Sequence, residues 1–460
     1  MLPPESPLGA APAPPPQARR LRRSLSAPVL AIHCSGSPAA AAQLREALAV
    51  PPMPADFTAD ERPLIEAALG PHLFHSFAAR THPLLVRQLL ADLAPGQTVL
   101  DPFCGSGTVP LEVVMRGGRA LGCDINELAV RLARFKATAL PPAMQRALLA
   151  RAETVAAASL ERVQKRQRPR RTWDDPGHYA PHIYLELCGL REELEQVALS
   201  DAPLGEALLL ILSALLIKLS TQRAESRPHE LAPERHLGKG LPTRLFLRKA
   251  QEVARLHAAL WQRLPSPPPP PPRLAVADAR SALGPATGTA PLPMAAASLD
   301  RVITSPPYLG TYDYAAHHAR RYAWLGIDPA PIEHGEMAAR RHGESVPLPE
   351  LQRRHQADCQ AWVGAVRRLL KPGGRLYILV GDSVVGDTFV DGAQPLLAAA
   401  AAAELELVAR AAAERPHYLR RRADLPPATS TCCTWFAPRD TSSGAAPPTA
   451  DGAGRRPLGR

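Results

Sequence analysis

Three short segments of this 460-residue chain carry residue types that could do chemistry together. The first is Asp101-Pro102-Phe103-Cys104-Gly105-Ser106-Gly107-Thr108. Its two glycines let the backbone approach a ligand closely and take positive φ. Taken alone, Gly-x-Gly is also an ordinary tight turn, and the spacing is neither the dinucleotide fingerprint nor a phosphate loop, which needs Gly-Lys-Ser/Thr. The second is Asp124, after apolar Ala120 to Cys123. An acid at such a place accepts hydrogen bonds from ribose hydroxyls in nucleotide-binding folds. It could equally cap the next helix, although Asn126 is better placed for that. The third is Thr304-Ser305-Pro306-Pro307-Tyr308. Two successive prolines remove two backbone donors and fix two φ angles. The carbonyls of Ser305 and Pro306 are then held as acceptors for an amino group, with the Ser305 hydroxyl beside them. Tyr308 adds a flat face on which a base can stack. Ser-Pro-Pro also simply opens loops, and this chain has 52 prolines.

The elements around these segments would place all three at one edge. Val99-Leu100 reads as a strand, Val109 to Arg116 as a helix, Ala120 to Cys123 as a strand and Glu127 to Ala137 as a helix. Strands alternating with helices imply a doubly wound parallel sheet of the α/β class, whose ligands sit at the carboxyl ends of the strands. Strand signals resume at Leu274 to Ala277, Arg301 to Thr304 and Arg375 to Gly381, with a helix from about Arg353 to Leu370. Between the two blocks, residues 141–272 are helical in character and end in the proline run Pro267 to Pro272, a stiff spacer. The expected organisation is a Pro/Ala/Arg-rich disordered tail over 1–60, a catalytic domain in two parts over 61–140 and 273–437, the helical insert 141–272 between them, and a second tail over 438–460.

Composition narrows the partners. Hydrophobic residues make up 46% of the chain, enough for a sizeable core, and a net charge of +11 favours a polyanion, nucleic acid being the usual one. A genome that writes Arg, Ala and Pro freely would produce the same charge. In the insert, Arg223, Arg227, Lys239 and Arg244 are the candidate phosphate contacts, with the basic stretch Arg162 to Arg171 as the fallback; a solvated basic face is the plain alternative. The seven cysteines lack Cys-x-x-Cys spacing and are odd in number, so no zinc site and no closed disulfide framework is expected. The histidines, His317 and His318 included, show no metal-ligand spacing and read as surface or hydrogen-bonded residues. Ala27 to Ile32 is too short for a signal peptide, and Ala207 to Ile217 too short to span a bilayer, so it reads as a buried helix. No membrane partner is expected, and the location reads as cytoplasmic.

Taken together and in this order, the three motifs resemble those of the amino-group DNA methyltransferases, the N4-cytosine and N6-adenine enzymes. Asp101 to Thr108 looks like their cofactor loop and Ser305-Pro306-Pro307-Tyr308 like their catalytic tetrapeptide. The resemblance implies a Rossmann-like class I methyltransferase sheet, S-adenosyl-L-methionine as cofactor, and DNA as partner, with RNA as the alternative. It further implies cofactor contacts from Asp101, Phe103, Gly105, Gly107, Thr108, Asp124 and, near the adenine, Asp278. His75 to Pro83 resembles the flanking motif that closes over the cofactor, and Lys371 to Asp382 the family's turn and strand. The insert falls where one subgroup keeps its target-recognition region. Ser before Pro-Pro-Tyr goes mostly with cytosine N4, which makes site-specific cytosine-N4 methylation of the restriction–modification kind the favoured activity. Adenine N6, an RNA base amine, and a catalytically silent nucleic-acid-binding protein on the same fold are the alternatives. No Pro-Cys context supports a C5-cytosine enzyme, and Cys104 reads as a packing residue.

Overall fold

The computed structural model describes residues 29–51, 58, 60–173, 175–225, 227–233, 235–283, 292–414 and 429–438. Twelve strands are found among them: β1 (Ala31–Gly36), β2 (Thr98–Asp101), β3 (Arg119–Asp124), β4 (Gln222–Ala224), β5 (Arg227–Leu231), β6 (Arg273–Val276), β7 (Leu299–Thr304), β8 (Leu370–Val380), β9 (Ser383–Val385), β10 (Thr388–Val390), β11 (Leu405–Glu414) and β12 (Thr429–Pro438). Eight of them form one sheet in the order β1-β11-β12-β8-β7-β2-β3-β6. The stretch β8-β7-β2-β3-β6 is parallel throughout, and β12, β11 and β1 extend it by antiparallel pairing. Parallel strands covered on both faces must be apolar on both. The middle of β7, Arg301 to Thr304, is buried at every position, and so is β2 after its first residue.

Both faces are covered. Trp362, Val366 and Leu369 of the helix Leu348–Leu369, with Leu396 and Ala400 of the helix Gln394–Ala402, pack on Leu100, Val302 and Ile378. On the other face Leu85 and Leu89 of Pro83–Leu89, and Val109 and Val113 of Thr108–Met115, pack on Val99, Ile303 and Leu379. From β2 the chain winds one way to β3 and β6. It later returns to β7 and β8 on β2's other side. The border of β2 and β7 is therefore the switch point, where an open sheet leaves a crevice at its carboxyl edge. This is the doubly wound α/β fold that the alternating elements imply.

The insert contributes the helices Pro142–Gln164, Pro181–Ser200, Ala202–Leu219 and Leu241–Arg263, which share a core with Leu128, Leu132 and the helix Tyr314–Leu325. By length and composition Ala202–Leu219 could cross a membrane. Here Leu208, Leu210, Ile211 and Leu216 are fully buried in the helical core. The insert also carries the β4–β5 hairpin, too short and polar to announce itself by period.

One expectation is corrected. Within the stretch read as a tail over 1–60, residues 31–48 are built into the domain. β1 pairs along its whole length with β11, from Ala31 opposite Glu414 to Gly36 opposite Ala409. The helix Pro38–Leu48 buries Ala40, Leu44, Ala47 and Leu48 against the sheet. Their spacing of four, three and one marks a helical face, hidden in the sequence by an Ala- and Pro-rich background. Residues 1–28 and 439–460, which hold most of the two expected tails, lie outside the described residues.

Leu48 tests this placement. Leu48→Ala should lower unfolding free energy by about 2–5 kcal/mol, the usual cost of emptying a filled core site. Chemical denaturation would read it; a wild-type midpoint would return residues 31–48 to the tail.

Candidate active site

The crevice at the switch point is a cleft of about 890 Å³, open solvent at its mouth included. Its walls include Asp101, Phe103, Gly105, Thr108, Asp124, Asp278, Ser305 and Pro307. Residues from all three chemistry-bearing segments thus face one space. One hydrogen bond joins two of them directly: Thr304 Oγ1, at the end of β7, donates to Asp101 Oδ1, at the end of β2, at 2.7 Å. The same Asp101 oxygen accepts from the Phe103 amide at 3.1 Å and so sets the start of the loop.

The loop itself turns through two left-handed glycines. Gly105 has φ +48°, and a Cβ there would meet only Phe77, at 3.8 Å. Its open side is the cleft. Gly107, φ +87°, is different. A Cβ would lie 2.6 Å from the Ala133 Cα, and Gly107 does not line the cleft. Its work is to let the helix Thr108–Met115 pack against the helix Glu127–Ala137. Thr108 is buried on the cleft wall, and Phe103 reaches the wall while its ring meets Trp362 edge-on at 5.3 Å. Cys104 packs against Val130, Ala133 and Leu274, and burial pushes its thiol pKa well up.

Asp124 closes β3 and faces the loop. Its Oδ2 accepts from the Gly105 amide and its Oδ1 from the Asn126 amide, both at 2.9 Å. Asn126 caps the following helix through the Ala129 amide. Burial pushes the Asp124 carboxyl up to about 6, with the two amide hydrogen bonds opposing. Burial likewise pushes Asp101 up to about 7, Thr304 and Phe103 opposing, and the charge of Asp124 adds to the rise. Two carboxyls displaced upward on the wall of one cleft are a pattern that clusters at functional sites. Asp278 reaches the same cleft already held: Arg280 bonds both its oxygens at 2.6–3.0 Å and also reaches Asp358 and the Gly335 carbonyl. It enters the wall as half of an ion pair. Ile125, Ile332 and Met337 make an apolar patch beside it, suited to a flat ring.

The tetrapeptide lies on the opposite wall. Ser305 and Pro307 line the cleft, whereas Pro306 is buried beneath it. Among the described residues no hydrogen bond goes to the carbonyls of Ser305 or Pro306, so both remain available as acceptors. Ser305 Oγ and Tyr308 Oη are 3.1 Å apart. Beyond Tyr308 runs a row of rings: Tyr312 at 6.2 Å from Tyr308, Tyr314 at 5.6 Å from Tyr312, then Phe77 and His318 stacked on Tyr314.

That row was not read from the sequence, although Tyr308, Tyr312 and Tyr314 at spacings of four and two were its signal. Of the two expectations for its histidines, surface or hydrogen-bonded, the surface one fails: His317 and His318 are buried, and His318 is hydrogen-bonded. Burial pushes the pKa of both down, His317 to about 4. His318 bonds Glu225 at 3.0 Å. Glu225 also holds Arg321, which is fully buried and donates to the Ser213 carbonyl and to Ser76 Oγ. His75 Nε2 meets Ser213 Oγ at 2.8 Å, and Phe77 stacks on His318 at 4.5 Å. The segment 75–81, whose residues 77–81 line the cleft, is therefore clamped at three successive positions by the insert and the helix Tyr314–Leu325.

The four basic residues of the insert are not brought to one place. Arg223 and Arg227 share Glu230 across the β4–β5 hairpin, at 3.2 and 2.7 Å. Lys239 and Arg244 flank the start of the helix Leu241–Arg263, where Arg244 donates to the Lys239 carbonyl. Lys239 lines a second groove together with Arg162, Arg166 and Arg168.

Residues 75–135, which span the clamped segment 75–81, the Gly105 loop and Asp124, match the sequence model of the DNA methylase family. That family uses S-adenosylmethionine as its methyl donor, and the cleft's size, its open Gly105 side and its buried acids fit such a group. No curated protein matches the chain in sequence. Among solved structures it aligns with TrmN from Thermus thermophilus at 14% identity and a TM-score of 0.31, over 84% of this chain and 56% of that one. The rRNA methyltransferase aviRa from Streptomyces viridochromogenes aligns at 12% identity and a TM-score of 0.30, over 85% and 96% of the two chains. A TehB-like S-adenosylmethionine-dependent methyltransferase from Corynebacterium glutamicum aligns at 10% and 0.27, over 83% and 96%.

Cofactor binding should follow the ionisation of Asp124. Its charged form accepts hydroxyl protons better, so affinity should rise as pH climbs through about 6, and binding near that pH should release protons. Calorimetry in buffers of different ionisation enthalpy measures both. Asp124→Asn should flatten the profile and weaken binding by roughly 1.5–3 kcal/mol, the worth of a charge-assisted hydrogen bond. Gly105→Val should abolish binding, because its Cβ would stand beside Phe77 on the cleft wall and a β-branched residue at φ +48° strains the loop. Gly107→Val should instead lower the melting temperature first. Unchanged affinity in both the Asp124 and the Gly105 variants would move the cofactor elsewhere.

Proposed function

We propose that this S-adenosylmethionine-dependent methyltransferase, whose residues 75–135 belong to the DNA methylase family, methylates the exocyclic amine of a nucleic-acid base, with cytosine N4 in DNA as the favoured target. The observation that carries the reading is the Thr304–Asp101 hydrogen bond, which sets the Ser305-Pro306-Pro307-Tyr308 loop against the cofactor loop in one cleft.

S-adenosylmethionine supplies an electrophilic methyl group on its sulfonium. Asp124, Gly105, Phe103 and Thr108 would hold it, beside the apolar patch at Ile125. An exocyclic amine is a weak nucleophile because its lone pair is delocalised into the ring. The unpaired carbonyls of Ser305 and Pro306 accept the two N–H groups and favour a more tetrahedral nitrogen. With the amine's nitrogen attacking that methyl, positive charge would grow on nitrogen while the cofactor's sulfur would leave as a neutral thioether, and one N–H proton would then pass to solvent at the cleft mouth. Fixed carbonyl dipoles stabilise that charge without reorganising, and positioning supplies much of the rest. A duplex target must be turned out of its stack. Tyr308 receives it, and the row through Tyr312 and Tyr314 lengthens the aromatic wall. The choice of cytosine rests on Ser305. The choice follows the resemblance, in which Ser before Pro-Pro-Tyr goes mostly with cytosine N4; the hydroxyl's ability to donate to the ring nitrogen beside the amine serves adenine as well as cytosine.

Nucleoside mass spectrometry of DNA and RNA treated with the purified protein should show N4-methylcytosine in DNA. N6-methyladenine alone would overturn the cytosine choice, methylation confined to RNA would overturn DNA, and cofactor binding with no methylation of either would leave a silent nucleic-acid-binding protein. Tyr308→Ala should cost about 1–3 kcal/mol in kcat/KM through lost stacking, while calorimetric cofactor affinity stays at the wild-type value.

A further inference from the structure

The helical insert carries a groove that the active-site chemistry does not use. It measures about 780 Å³, open solvent included, and is lined by Arg162, Arg166, Arg168, His182, Glu186 and Lys239 among others. The charges divide into two sets. Arg162 is taken up by Glu192 and Glu193 at 3.0 and 2.8 Å. Glu186 is buried and accepts from the Gly240 amide and from the amide and hydroxyl of Thr243, so it caps the helix Leu241–Arg263. Arg166, Arg168 and Lys239 are exposed, and among the described residues none has an ion pair or a side-chain hydrogen bond. The two candidate basic stretches of the sequence, one near residue 165 and one near 240, converge here because Ser159 bonds Thr243 at 2.8 Å and holds the two long helices together.

The groove stands on the cleft side of the sheet. The helix Leu241–Arg263 ends at the opposite edge, where Arg263 bonds the Ala67 and Ala68 carbonyls and Pro265 lies beside Gly117, just before β3. From there it climbs past Ala137, which shares a cluster with Leu260, and past Phe135, which meets His257. Its 23 residues span roughly 35 Å, more than the roughly 20 Å of a six-residue strand. From the groove, His182 bonds the Leu237 carbonyl, His178 accepts from the Thr221 amide, and Gln222 accepts from Arg320 on the helix that begins at Tyr314. A chain of bonded neighbours thus runs from the groove, along the hairpin, to the aromatic wall.

We infer that this groove holds the sugar–phosphate backbone of the substrate nucleic acid beside the target base, with Arg166, Arg168 and Lys239 as the phosphate contacts. The inference rests on the nucleic-acid reading above. It moves the phosphate contacts away from Arg223 and Arg227, whose charge already meets Glu230. Recognition by charge carries no base sequence, so this surface sets register and grip rather than target choice.

The test compares the wild type with the triple variant Arg166→Gln, Arg168→Gln, Lys239→Gln and with the double variant Arg223→Gln, Arg227→Gln. Affinity for a duplex DNA oligonucleotide is measured by fluorescence anisotropy over a range of salt. Each phosphate contact contributes about 0.9 to the slope of log affinity against log salt. The triple variant should therefore lose about 2–3 from that slope, and the double variant should lose little. The charge-preserving Arg166→Lys, Arg168→Lys pair should keep the wild-type slope, and calorimetric S-adenosylmethionine affinity should be the same in every variant. A triple variant with the wild-type slope, or a double variant that alone flattens it, overturns the groove while methylation by the wild type leaves the substrate reading standing. A wild-type protein that binds S-adenosylmethionine but neither binds nor methylates nucleic acid overturns both.

Discussion

Thr304 and Asp101 lie 203 positions apart in the chain, yet a 2.7 Å hydrogen bond ties the end of β7 to the end of β2. Much of the site depends on that contact. It closes the switch point, because β2 and β7 are the strands from which the chain winds in opposite directions. It also fixes the distance between a loop that can cradle a cofactor and a loop whose carbonyls can take an amine. Asp101 makes the contact at a cost. Burial raises its pKa to about 7, so its charged form is disfavoured, and two donors on one oxygen only partly offset this. A buried acid kept at the crossing of two motifs is better explained by positioning than by stability.

The insert is as much a part of the site as the sheet is. Arg321 is fully buried, and the carboxylate beside it is Glu225, in the hairpin of the insert. The proximity of Arg321 and His318 holds the Glu225 carboxyl well below the usual range against the opposing effect of burial. Breaking one partner of a buried pair leaves an uncompensated charge, which is why such pairs specify geometry more strongly than they add stability. Here the geometry specified is that of the segment 75–81: Ser76 takes a bond from Arg321, His75 Nε2 meets Ser213 Oγ, and Phe77 stacks on His318. The cleft-lining segment 77–81 and the β4–β5 hairpin of the insert are thus tied through one network.

The sheet was legible because parallel strands buried on both faces announce themselves as short apolar runs, and because glycines and prolines punctuate their ends. Asp124, the Gly105 turn and the Ser305 to Tyr308 loop could be placed at strand ends on that basis alone. β1 and the helix Pro38–Leu48 could not, since an edge strand acquires its identity from a partner such as β11, nearly 380 residues later. The β4–β5 hairpin was equally silent: its strands are short and polar, and it is held by the half-buried Glu225 rather than by an apolar face.

Within the site the same division holds residue by residue. Gly105 and Gly107 look alike in sequence, but one opens on the cleft and the other presses on Ala133, a difference set by where the neighbouring helix lies. Asp278 looks like a free acid until Arg280 and Asp358 are brought beside it. The four insert cations look like one patch, but the fold sets Arg223 and Arg227 on the single carboxylate of Glu230, turns Arg244 onto the Lys239 carbonyl, and leaves Lys239 in a groove shared with Arg166 and Arg168. The sequence by itself determined the α/β winding and the three motifs, because backbone constraints and the period of burial are local. Only the tertiary structure decided which side chains remain available to a ligand, because hydrogen bonds and ion pairs between distant segments consume charge and fill space in ways no local pattern records.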